Sequence, residues 1–131
     1  RTSGAHREPL PDGPRQGDER IALFRLEGSL FFGAAERLLD EVADAGEVEV
    51  VILRLSGLQI IDSTGANALA EMVTALEQRG ATVLIKGIRP EHKELLAQLG
   101  VIESLRHPNH LFTELDPAIE HARSHIARAN G

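Results

Sequence analysis

Val48-Glu49-Val50-Val51-Ile52-Leu53-Arg54-Leu55, followed by Leu58-Gln59-Ile60-Ile61 and the turn Asp62-Ser63-Thr64-Gly65, is the stretch that decides the fold. Its first eight residues are almost continuously β-branched or aliphatic, the pattern of a strand covered on both faces, which places it at the centre of a sheet. Past the turn the period changes. Leu69, Met72, Val73 and Leu76 recur at helical spacing, and Gly80 supplies a C-terminal stop.

The same reading extends in both directions. Ile21-Ala22-Leu23-Phe24-Arg25-Leu26 alternates as a strand does and is punctuated by Glu27-Gly28-Ser29. From Gly33, Ala35, Leu38, Leu39 and Val42 mark an amphipathic helix that ends near Gly46. Thr82-Val83-Leu84-Ile85-Lys86 is another strand. Pro90 opens a helix at its first turn, where a missing N–H costs nothing; Leu95, Leu96 and Leu99 form its buried face and Gly100 ends it. A short extended segment is expected between Val101 and His110. The last helix is expected to take Asp116 as cap and Pro117 as first residue, to bury Ile119, Ala122 and Ile126, and to run to Ala129. Strands alternating with helices through short connections imply an α/β fold with mostly parallel pairing and right-handed crossovers. Residues 1–19 hold Pro9, Pro11, Pro14, Gly4, Gly13 and Gly17 and read as a linker or lead-in, with room for a short edge strand around Glu8 to Leu10. The ordered domain is then 20–131.

Composition bounds the function. A chain of 131 residues has the length of one domain, and its net charge of −6 repels a nucleic-acid backbone. With no Trp or Tyr and only four Phe, it also lacks the stacking platforms of single-strand binders. Absence of cysteine removes disulfides, thiol chemistry and Cys-based zinc sites. No apolar run approaches the roughly 20 residues that span a bilayer. The chain starts at Arg1, and its only methionine, Met72, falls inside a predicted helix, so the expectation is a piece or a matured form of a longer protein.

Asp62-Ser63-Thr64-Gly65 lies where a strand gives way to a helix, so its hydroxyls and free N–H groups face outward at the positive end of the helix dipole. On one reading Asp62 or Ser63 only caps the helix and Gly65 permits close packing. On the other, a hydroxyl here is a phosphoacceptor whose modification adds charge beside Asp62 and switches a partner contact. Parallel topology sends the loop Lys86-Gly87-Ile88-Arg89-Pro90 from the same sheet edge, which makes Lys86 and Arg89 candidates for an anion or partner groove, against a reading as solvated loop cations. Gly28-Ser29-Leu30-Phe31-Phe32-Gly33 has the outer glycine spacing of a phosphate-binding loop, but Ala34-Ala35 replaces the Lys and the Ser/Thr that such a loop requires. Leu30, Phe31 and Phe32 are instead an apolar cluster, either buried or serving as a docking patch. His121 and His125 have metal-ligand spacing, with His107 and His110 upstream, yet no third ligand is specified; they read as surface histidines, and no metal is expected. Without a Gly-x-Ser-x-Gly elbow, no catalytic residue is assigned and no enzyme activity or cofactor is expected.

The turn Asp62-Ser63-Thr64-Gly65 resembles the signature of STAS domains, shared by bacterial anti-sigma-factor antagonists and by the cytoplasmic C-terminal part of SulP anion transporters. The resemblance runs from about Arg20 to Ala129. Leu26-Glu27-Gly28-Ser29-Leu30-Phe31-Phe32-Gly33-Ala34-Ala35-Glu36, Ile60-Ile61-Asp62-Ser63-Thr64-Gly65-Ala66 and Gly87-Ile88-Arg89-Pro90 are most similar to the transporter branch. This resemblance implies one STAS-type domain: a mixed, mostly parallel sheet with about four α-helices packed largely on one side. It also implies a non-catalytic regulatory domain of a SulP-type transporter of sulfate-like, dicarboxylate or bicarbonate anions, at the cytoplasmic face of the cell membrane. The partners implied are the transmembrane domain of the same polypeptide and a cytosolic regulatory protein, with weak anion or nucleotide binding as a further option. Two alternatives stand beside that reading: a free-standing anti-sigma-factor antagonist, whose phosphorylated hydroxyl matches Thr64 and whose preceding acid matches Asp62, and an anion or nucleotide sensor.

Overall fold

The apolar run that begins at Val50 becomes the middle strand of a five-stranded sheet. The computed structural model describes residues 4–11, 15–30, 36–37, 39–42, 48–105 and 110–130. In sheet order, which is also chain order, the strands are β1 (Gly4–Glu8), β2 (Ile21–Leu30), β3 (Val50–Ile61), β4 (Thr82–Lys86) and β5 (Leu111–Phe112). β1 runs antiparallel to β2, and every other neighbouring pair is parallel. The helices are α1 (Ser63–Gln78), α2 (Pro90–Gln98), α3 (Val101–Ser104) and α4 (Leu115–Asn130), and residues 36–37 and 39–42 are also helical.

Side chains alternate across the sheet, and both faces are buried over its centre. Phe24, Leu26, Val51, Leu53, Val83 and Ile85 point to the face that carries Val42, α1, α2 and α3, where Leu69, Val73, Leu76, Leu96 and Val101 meet them. Ile21, Leu23, Val50, Ile52 and Leu84 point the other way, onto Ala118, Ile119, Ala122 and Ile126 of α4. Burial on both sides explains why Val50 to Leu53 is apolar without interruption. The mixed, mostly parallel sheet with helices largely on one side is the architecture expected, with α4 alone among the labelled helices on the second face.

Three local expectations are corrected. The edge strand is Gly4–Glu8, not Glu8 to Leu10. Of the stretch from Val101 to His110 expected to hold a short extended segment, residues 106–109 lie outside the described residues and Val101–Ser104 form a helix: Gly100, at φ 84°, turns the chain so that Val101 enters the core, and Ser104 N donates to Gly100 O at 2.9 Å. The last helix begins at Leu115, which puts Asp116 in its first turn. Pro90 stands at the first position of α2, as expected.

Candidate functional site

β3 carries the chain past the end of β4 before it turns at Asp62. Asp62 is extended (φ −104°, ψ −178°), and its Oδ1 accepts a hydrogen bond from Gly65 N at 2.8 Å while its carbonyl accepts one from Ala66 N at 2.8 Å. It is the N-cap of α1, a role that an Asp at a strand-to-helix junction fills because the first N–H groups of a helix have no intrahelical acceptor. Gly65 and Ala66 turn inward and are buried; Ser63, Thr64 and Asn67 are exposed. The first turn of α1 holds no acidic residue, so both hydroxyls stand at the positive end of the helix dipole, directly after the capping acid Asp62. The turn is thus capped by its acid and presents its hydroxyls to the outside.

The loop after β4 lies against the outer half of β3. Gly87 N donates to Phe112 O at 2.9 Å, and Arg89 Nη1 donates to Leu58 O at 3.2 Å, with Arg89 Nε 3.3 Å from Glu91 Oε2. Lys86 closes β4 in register with Arg54 of β3 and Phe112 of β5. The two cations of the expected groove therefore have separate surroundings: Arg89 is tied to a β3 carbonyl, and Lys86 belongs to a row of strand residues. In the expected docking patch, the backbone of Leu30 ends β2, while its side chain and the whole of Phe31 and Phe32 lie outside the described residues.

The histidines of α4 are not plain surface residues. His121 and His125 are half-buried; His125 Nε2 lies 3.3 Å from Thr82 Oγ1, and the His121 ring stands edge-on to buried His110 with centroids 5.1 Å apart. They pack α4 onto the sheet. His107 lies outside the described residues. Among the described residues no group of three or more His, Cys, Asp or Glu is placed to hold a metal ion.

Two ionic arrangements have no signature in the linear sequence. Asp18, in the lead-in, meets Arg123 of α4 with both carboxylate oxygens, at 3.1 and 2.9 Å. The hydrogen bonds from Arg123 hold the Asp18 carboxyl below the usual carboxylate range, against the opposing effect of burial. Glu8 of β1 accepts from Arg25 Nη1 of β2 and, at 2.8 Å, from Arg54 Nη1 of β3. The bond that Arg25 donates to Glu8 strengthens the hold of Arg25 on its proton. In both cases the acid comes from the Pro- and Gly-rich opening segment, whose composition hides that its charges are used by the sheet and by α4.

The comparisons with known proteins agree with this geometry. Residues 14–118 match the STAS domain family. The SulP transporter STAS domain from Vibrio cholerae superposes with a TM-score of 0.74 and 28% identity, covering 83% of this chain and 85% of that one. A sulfate transporter family protein from Wolinella succinogenes superposes with a TM-score of 0.68 and 31% identity, covering 82% of this chain and 88% of that one. A putative sulfate transporter of Bacillus subtilis, YbaR, is 24% identical over 82 residues; the match takes in 63% of this chain and 17% of that protein's length. No helix among the described residues is long and apolar enough to cross a membrane. By sequence pattern over most of its length, and by fold, the chain belongs to the STAS domain family.

Proposed function

We propose that this chain is a non-catalytic regulatory and interaction domain of a SulP-type secondary anion transporter, held at the cytoplasmic face of the cell membrane by a transmembrane domain of the same polypeptide. The likeness to the Vibrio cholerae SulP domain over most of both chains carries this reading. It is supported by the small share of YbaR that the chain matches, which is the relation of a domain to a larger protein. In this reading residues 1–19 are the lead-in from the membrane part, which lends the edge strand β1 to the sheet, and 20–131 are the body of the domain. The turn Asp62 to Gly65 is its contact surface: Asp62 holds the helix start, and Ser63 and Thr64 meet the membrane part or a cytosolic regulatory protein. The reading is tested by determining the gene sequence upstream of Arg1. It predicts several hydrophobic spans in frame, and a start codon immediately before Arg1 would overturn it.

Exposure of Thr64 favours a second reading, a phosphorylation-switched antagonist. A partner kinase would then label the chain at Thr64, and Thr64→Ala would abolish the labelling. Labelling that survives this substitution would eliminate the second reading.

A further inference from the structure

The register of the sheet sets His6, Arg25, Arg54, Lys86 and Phe112 side by side, one from each strand. All five lie on the face that carries α4. Thr82 and Leu84 of β4 meet α4, and Lys86 is next in that alternation; Ile52 precedes Arg54, and Leu23 precedes Arg25, in the same way. Three cations therefore stand on adjacent strands, about 4.8 Å from one to the next. Like charges directly opposite one another destabilise a sheet, so a row of three calls for counter-charge.

The chain supplies counter-charge to only part of the row. Glu8 accepts from Arg25 and Arg54, and Glu27 lies 2.8 Å from Arg25 Nε and 4.0 Å from His6 Nε2. At the other end, Lys86 is half-buried and has no hydrogen bond or ion pair among the described residues, and Arg54 Nε is buried without a hydrogen-bond acceptor there. On a chain of net charge −6, a row in which Arg25, Arg54 and Lys86 face only Glu8 and Glu27, with Lys86 outside both, is the exception.

The geometry points to an anion site between Arg54 and Lys86, on the α4 face of the sheet, that takes a small oxyanion. The planar Arg54 fork offers N–H donors beyond the one given to Glu8, and the Lys86 ammonium offers three more on a flexible stem. A compact anion with several oxygens, such as sulfate or bicarbonate, bridges such a pair with charge-assisted hydrogen bonds. Glu8 limits the affinity, because it already neutralises part of Arg54, and it sets the orientation in which Arg54 meets the ligand. This site is distinct from the turn at Ser63 and Thr64 and does not depend on that surface being a contact.

The test is a titration of the 131-residue chain with sodium sulfate, followed by amide NMR at constant ionic strength balanced with sodium chloride. Saturable shifts centred on Arg54, Lys86 and Phe112 are expected. Lys86→Gln should weaken binding about tenfold, the equivalent of one charge-assisted hydrogen bond, while Lys86→Arg retains it. Lys93→Gln, which removes an exposed cation from α2, should leave it unchanged. Shifts that rise linearly without saturating, or that centre elsewhere, would overturn the site. So would equal weakening by Lys86→Gln and Lys93→Gln, which marks a response to overall charge. Neither result bears on whether a membrane domain precedes the chain.

Discussion

Arg123 grips Asp18 across 105 positions of sequence, Nε to Oδ1 at 3.1 Å and Nη2 to Oδ2 at 2.9 Å. The side chains are 11% and 8% exposed, so this pair is largely removed from water. It fastens the segment entering β2 to the C-terminal helix. Gly17 fits against the same helix because it has no side chain.

Removing one partner of a largely buried ion pair leaves the other charge with weaker compensation: Asp18 keeps the Arg15 N–H at 2.9 Å, and Arg123 keeps Glu120 at 3.8 Å. Arg123→Ala should destabilise the chain by about 3 kcal/mol in denaturant unfolding. Asp18→Asn should cost less, because the amide keeps one acceptor for Arg123. A loss no greater than that of an exposed surface pair would show that the contact does not hold in solution.

The same pair sets a pH dependence. The folded Asp18 pKa is depressed below its ordinary value by the hydrogen bonds from Arg123, so its contribution is fully present above the unfolded pKa and is lost as pH falls through the folded value. Stability measured from pH 6 downward should fall more steeply in the parent chain than in Asp18→Asn. Identical slopes would contradict the assignment.

At Gly17, φ is 93° and an added Cβ would lie 2.9 Å from Ile126 Cγ2; at Gly80, φ is 95° with nothing within 4 Å. Gly17→Ala should therefore cost more than Gly80→Ala, for which only the left-handed backbone penalty of about 1–2 kcal/mol applies. Thermal unfolding of the two variants measures the difference, and equal losses would place Ile126 elsewhere.

Asp62→Ala removes the acceptor for Gly65 N and should cost about 1 kcal/mol. Ser63→Ala and Thr64→Ala should each stay within about 0.5 kcal/mol of the parent, because both residues are exposed. Losses at Ser63 or Thr64 as large as that at Asp62 would mean that the hydroxyls serve the fold rather than a partner.

What could be read from the sequence was local. The run from Val50, the cap at Asp62, Pro90 at a helix start and Gly100 at a helix end each act within a few residues, through burial on two faces, an orphan N–H or a fixed φ. Val101–Ser104 was misread because a four-residue helix is too short to show a period. The strand Gly4–Glu8 was misplaced because proline and glycine dominate the segment around it. Turn position and exposure at Ser63 and Thr64 followed from their neighbours, whereas the partners of Glu8, Asp18 and Arg89 are fixed only by how strands and helices are arranged. The cation row is of the same kind. Arg25, Arg54 and Lys86 are far apart in the chain, and only the register aligns them.

On the proposed transporter reading, the decisive measurement is anion uptake by the intact gene product in cells, compared between the parent and Thr64→Glu, with thermal unfolding of each isolated domain as control. Uptake is expected to change severalfold while the domain unfolds at the same temperature, because an added charge at an exposed helix start alters a contact and not the core. Unchanged uptake from a normally folded Thr64→Glu protein would contradict the claim that this turn is the regulatory surface.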